Sequence, residues 1–137
     1  MLFRSVNAPC NALVITFQFR QLISNLISNA LKFKKENVAP HIIITAKTDK
    51  GSKLVNEKMS EDKNYCHIKI KDNGIGFEPR YSEKIFEVFQ RLHGRAEYEG
   101  TGIGLAIVKK IVDNHHGIIT ATSNLNEGAV FDIYLPQ

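Results

Sequence analysis

Long apolar runs are missing from this sequence: the longest, Ala12 to Phe17, is strand-sized and far short of the ~20 residues that span a bilayer. The charged start, apolar middle and small-residue cleavage site of a secretory signal are missing too. Only Cys10 and Cys66 carry thiols, and they lie too far apart for a metal-ligand spacing. Two free thiols in a reducing cytoplasm are therefore expected. No basic stripe with interleaved aromatics occurs, so nucleic acid is not an expected partner. The net charge of +4 is dispersed. It reads either as a solvated lysine-rich surface or as a complement to a polyanion, for which nucleotide phosphates would suffice.

What is present fits one globular domain: 137 residues, 43% apolar and 23% charged, enough to bury a core and short for two domains. The opening Met-Leu-Phe-Arg-Ser matches what a sequencing-adapter tail would encode and joins a stretch with no clear pattern. Residues 1–12 are expected to be a truncation remnant or artefactual start, with the domain at 13–137, and residues 1–5 are set aside in reading the fold.

Ala12 to Phe17 reads as a β-branched strand. From Gln18 to Lys34, apolar residues recur at the 3–4 spacing of an amphipathic helix: Phe19, Leu22, Ile23, Leu26, Ile27, Ala30 and Phe33. Pro40 forces an extended connection into a strand from His41 to Lys47. The polar stretch from Thr48 to Asn64 reads as a long solvated loop. Tyr65 to Asp72 alternates as a strand, with Cys66, Ile68 and Ile70 against His67, Lys69 and Lys71. Ser82 is placed as the cap of a short helix through Phe89. A helix is expected from Thr101 to about His115, ended by Gly117, and Ile118 to Ser123 and Ala129 to Leu135 form a closing hairpin. The expected fold class is α/β (α+β): a two-layer sandwich, a mixed sheet covered on one face by helices.

Three strings carry candidate chemistry. Asn25, Asn29 and Lys32 fall in one stripe of the first helix, with Gln21 a turn earlier. Amide oxygens suit a hard cation such as Mg²⁺ and lysine suits a phosphate, although three polar residues also describe a plain solvated face. Asp72 ends a strand and opens Asp-Asn-Gly-Ile-Gly-Phe. A carboxylate there can accept a hydrogen bond from the exocyclic amine of adenine, while Asp-Asn-Gly alone describes an ordinary turn. Gly100-Thr101-Gly102-Ile103-Gly104-Leu105 opens an apolar helix, where free N–H groups and a partial positive charge suit phosphates. Leu105 stands where a dinucleotide fingerprint needs Gly or Ala, and no Walker A lysine is present.

Taken in order, these strings resemble the catalytic domain of histidine kinases, within the ATPase superfamily shared with gyrase, chaperones and mismatch-repair proteins. The resemblance covers roughly residues 13–137. Asn25 to Phe33 resembles the N box, Asp72 to Phe77 the first glycine box and Phe86 to Phe89 the F box. Gly100 to Leu105 resembles the second glycine box, and Glu127 to Phe131 the final glycine strand. It implies a Bergerat-type fold binding ATP and Mg²⁺. Asn29 would ligate the metal with Asn25 in support, Lys32 would touch phosphate oxygens, and Phe33 would flank the adenine. Asp72 would read the adenine amine, with Gly74 and Gly76 making room. Residues 78–100 would form a lid from which Arg91 reaches the γ-phosphate, and the Gly100 to Leu105 backbone would cradle phosphates. Asn25, Lys32 and Arg91 are the candidate catalytic residues.

Two departures from the family pattern stand out. Ala129 replaces the usual Ser or Thr, removing a hydroxyl near the nucleotide. The phosphoacceptor histidine of the family lies on a preceding helical hairpin, and His41, His67, His93, His115 and His116 all lack that setting. His115 and His116 read as structural residues at a helix C-terminus. The expected partners are therefore that dimerisation hairpin and, downstream, a response regulator. No direct membrane contact is expected from this domain, whether or not the parent protein is anchored. ATP-hydrolysing relatives carry a glutamate one turn before the metal-binding asparagine. Asn25 occupies that position and is a poor general base. A regulatory module that binds nucleotide without kinase activity is the remaining alternative.

Overall fold

The computed structural model describes residues 10–87 and 103–137, together with the backbone of residues 2–6. Its elements are β1 (Leu2–Val6), α1 (Thr16–Lys32), β2 (His41–Lys50), β3 (Asn64–Asp72), single 3₁₀ turns at Pro79–Tyr81 and Lys84–Phe86, α2 (Gly104–Asn114), β4 (Ile118–Ser123) and β5 (Ala129–Pro136). The sheet order is β1-β2-β3-β5-β4. β1 runs parallel to β2 and the other neighbours are antiparallel, so the sheet is mixed, as expected. Residues 2–5, set aside on sequence grounds, supply its edge strand together with Val6.

Period-two and period-3.6 patterning meet in one core. β3 and β5 turn Cys66, Ile68 and Ile70 and Phe131, Ile133 and Leu135 toward the helices. There they pack with Leu22, Leu26 and Ala30 of α1 and Val108, Ile111 and Val112 of α2. Leu26 is 1% exposed, and truncating such a side chain to alanine costs about 2–5 kcal/mol. The same burial turns Asn25 and Asn29 to the flank of α1, since they follow Leu22 and Leu26 by three residues each. Among the described residues, no helix is long and apolar enough to cross a membrane.

Several local expectations are corrected. Ala12 to Phe17 forms no strand: α1 begins at Thr16, and Leu13 is exposed. β-branched residues favour strands only where a neighbour pairs with them, and the sheet ends elsewhere. Cys10 and Cys66 are joined in a disulfide instead of being free: Cys10 packs against the core cluster that contains Cys66, with their Cα atoms 5.3 Å apart. The Thr48 to Asn64 stretch is not simply solvated. β2 continues to Lys50, and Met59 is buried with Tyr65 and Tyr134 on the far face of the sheet. Ser82 ends a 3₁₀ turn, its hydroxyl donating back to the Pro79 carbonyl, and does not start a helix. The end of α2 is a Schellman motif in which His116, φ 57°, takes the left-handed position. Its N–H donates to Asp113 O and that of Gly117 to Val112 O.

Candidate functional site

α1 is tied to both of the other motif strings. On its flank, Asn25 Nδ2 donates to the carbonyl of Gly104, the first residue of α2, at 3.4 Å. At its C-terminal end, the Phe33 carbonyl accepts the Ile75 N–H at 2.9 Å, and a Cβ on Gly74 would lie 2.5 Å from that same oxygen. Only a residue without a side chain lets the 74–76 turn lie so close to α1. Asn29 is half-buried on the Asn25 stripe one turn nearer Phe33. The Lys32 ammonium lies 5.6 Å from the Phe33 ring centroid.

Asp72 is held by backbone. Its Oδ1 accepts the Gly74 N–H at 2.8 Å and the Ala129 N–H at 3.3 Å. Burial pushes its carboxyl above the ordinary value of 3.8, and these two hydrogen bonds pull the other way. Ala129 therefore contributes through its N–H, a contact that its missing hydroxyl does not affect. Asn73 clamps the entry to β2, its Oδ1 accepting the His41 N–H and its amide donating to Ala39 O.

Gly104 stands at the N-terminus of α2, exposed, with nothing among the described residues within 4 Å of the place where a Cβ would sit. Its neighbours Ile103 and Leu105 are half-buried, and Leu105 packs on the core. The first N–H groups of a helix have no partner within that helix, so this end is suited to donating to phosphate oxygens. Arg91, Gly100, Thr101 and Gly102 lie outside the described residues, as do His93 and the second half of the Phe86 to Phe89 string. Phe86 itself meets Phe131 edge-on at 6.2 Å.

The structure thus brings Asn25, Phe33, Gly74, Asp72 and Gly104 into one connected region. The donor set fits a magnesium nucleotide: amide oxygens for a hard cation, a carboxylate for an amine, and a helix N-terminus for phosphates. A separate groove of about 500 Å³ on α1, lined by Phe19, Arg20, Ile23, Ser24, Ile27 and Ser28, shares no residue with these strings. Its largely apolar lining does not match a nucleotide.

Sequence reasoning missed the residues that brace the 74–77 turn from behind. Ser123 and Asn126 reach it from the β4–β5 hairpin, the latter donating its N–H to Ile75 O at 2.6 Å. The sequence marked that hairpin only by its turn residues, and nothing local predicts a contact across 46 positions. His115 also has a structural task, accepting the Ile15 N–H at Nε2 while Nδ1 meets Ile111 O.

Residues 16–137 match the model of the histidine kinase-, DNA gyrase B- and HSP90-like ATPases. The chain is 45% identical over 119 residues to cyanobacterial phytochrome A of Nostoc sp., covering 87% of this chain and 14% of that protein. It is 37% identical over 118 residues to the sensor protein RprX of Bacteroides fragilis, covering 84% of this chain and 20% of that protein. It therefore spans a fifth or less of the length of these relatives. Among solved structures, the catalytic domain of histidine kinase ThkA superposes with a TM-score of 0.69 at 26% identity, covering 98% of this chain and 78% of that one.

Proposed function

The chain belongs to the histidine kinase-, DNA gyrase B- and HSP90-like ATPase family, and from that premise we propose that it binds Mg·ATP and presents the γ-phosphate to a histidine on a separate helical hairpin. The observation that carries the reading is the double tether of α1, to Gly104 through Asn25 and to Ile75 through the Phe33 carbonyl. It gathers metal-type, base-type and phosphate-type groups around one region.

In this reading Asn29 is the protein ligand of Mg²⁺, which neutralises charge on the phosphates when bound. Lys32 meets phosphate oxygens, and the free N–H groups at the start of α2 receive others. Asp72, with Oδ1 occupied by two backbone N–H groups, offers its second oxygen to the exocyclic amine of adenine. Phe33 flanks the base. Arg91 is the residue assigned to the γ-phosphate in this reading.

Phosphoryl transfer depends mainly on positioning and charge neutralisation, and this set of groups supplies both. Asn25 favours transfer over hydrolysis. A side chain amide that donates to Gly104 O cannot take a proton from water as a glutamate would. A response regulator then receives the phosphoryl group downstream.

Incubation with γ-labelled ATP and a helical hairpin from a related kinase tests the reading. Label is expected on the hairpin and absent from this chain by itself. Label on the chain alone, or none on any hairpin despite nucleotide binding, would overturn it.

A further inference from the structure

On the hairpin side of the 74–77 turn, Ser123 is 6% exposed at the end of β4. Its Oγ accepts the Phe77 N–H at 2.8 Å and donates to the Gly128 carbonyl at 2.5 Å. Gly76, at φ 64°, wraps so tightly around this hydroxyl that a Cβ there would lie 2.6 Å from Oγ. One hydroxyl therefore joins two backbone segments that have no sequence neighbourhood in common.

Those two segments are the ones that hold Asp72. The turn supplies the Gly74 N–H and the hairpin supplies the Ala129 N–H, and both end on the same carboxylate oxygen. Gly128, whose carbonyl takes the Ser123 proton, immediately precedes Ala129. A shift between turn and hairpin would separate the two donors and let the carboxylate rotate. We infer that Ser123 is a positioning residue for base selectivity: it fixes the turn to the hairpin and so keeps the second oxygen of Asp72 aimed at an exocyclic amine. The inference rests on the reading of Asp72 given above.

Selectivity is the property to measure, because loss of packing alone lowers affinity for every nucleotide alike. A site built to hydrogen-bond one group rejects an analogue lacking it far more strongly than packing could. GTP carries a carbonyl where ATP carries the amine, so the ratio of the two affinities reports the aim of Asp72. Ser123→Ala and Ser123→Val remove the hydroxyl. Ser123→Thr keeps it in the shape of Val.

Calorimetric titration of the whole chain with Mg·ATP and Mg·GTP is expected to show the ATP preference falling about tenfold in the Ala and Val variants. The Thr variant should retain it. An unchanged ratio in Ala and Val, even with lowered melting temperatures, overturns the inference. So does failure of both variants to fold while Thr folds, since the hydroxyl would then be a structural element only. Wild-type protein that binds neither nucleotide would instead overturn the proposed function itself.

Discussion

Gly128 lies so close to Asp72 that a Cβ on it would sit 2.0 Å from the Asp72 carbonyl oxygen. Its φ of 82° adds a conformation that side chains disfavour. The β4–β5 hairpin thus closes directly onto the strand end that carries the candidate base-reading carboxylate. Gly128→Ala must move backbone against backbone. It is expected to destabilise the fold by about 2–5 kcal/mol, combining left-handed strain and overpacking. A urea midpoint within error of wild type would contradict this contact.

Asp72 is expected to lower stability at neutral pH in return for its position. Its folded pKa is raised above the ordinary 3.8, chiefly by burial. The folded state then holds the proton more tightly than the unfolded chain. Its contribution is fully favourable below 3.8 and is lost as pH rises through the folded value. Asp72→Asn keeps an acceptor for Gly74 and Ala129 and removes that loss, so its melting temperature should exceed wild type at pH 7. The ATP preference over GTP should fall at the same time, because an amide can turn a donor toward the adenine amine. A variant less stable than wild type at pH 7 yet equally selective would contradict both halves.

On the far face of the sheet, His67 is clasped by two carboxylates. Nδ1 lies 2.8 Å from Asp49 Oδ2 and Nε2 lies 2.6 Å from Asp132 Oδ1. The ring stacks on Tyr134 at 4.3 Å, and burial and the charges of Asp132 and Asp49 push that phenol up to about 12. His67→Ala leaves Asp49 and Asp132 without this partner and is expected to cost about 2 kcal/mol in denaturant unfolding. Affinity for Mg·ATP should stay within about twofold, since the motif strings lie elsewhere. A large loss of nucleotide affinity in a folded variant would place this cluster in the site.

Much of this architecture was legible in the sequence, where local pattern and long-range packing agree. Leu22, Leu26 and Ala30 set the buried face of α1 by spacing alone, and Cys66, Ile68 and Ile70 did the same for β3. The closing hairpin was marked by its turn residues. Legibility failed where a residue's role depends on what packs against it from afar. Val14 and Ile15 read as strand because of β-branching, although nothing pairs with them. Met59 hid within a polar loop, and only the fold shows that it anchors that loop. Cys10 meets Cys66 across 56 positions. At the site, residue types point to Asn25, Asn29, Asp72 and the glycines, and the structure joins Asn25 to Gly104 and Phe33 to the Gly74 turn. Ser123 and Asn126, by contrast, act through hydrogen bonds that no local spacing encodes.

Direct binding of magnesium nucleotide at Asn29 is the measurement closest to the centre of this account. Titrating the whole chain with ATP, with and without Mg²⁺, should give saturable binding that strengthens with the metal. Asn29→Ala, folded by circular dichroism, should lose at least about tenfold in affinity and lose the metal dependence with it. Wild-type affinity and unchanged metal dependence in that variant would contradict the proposed pocket.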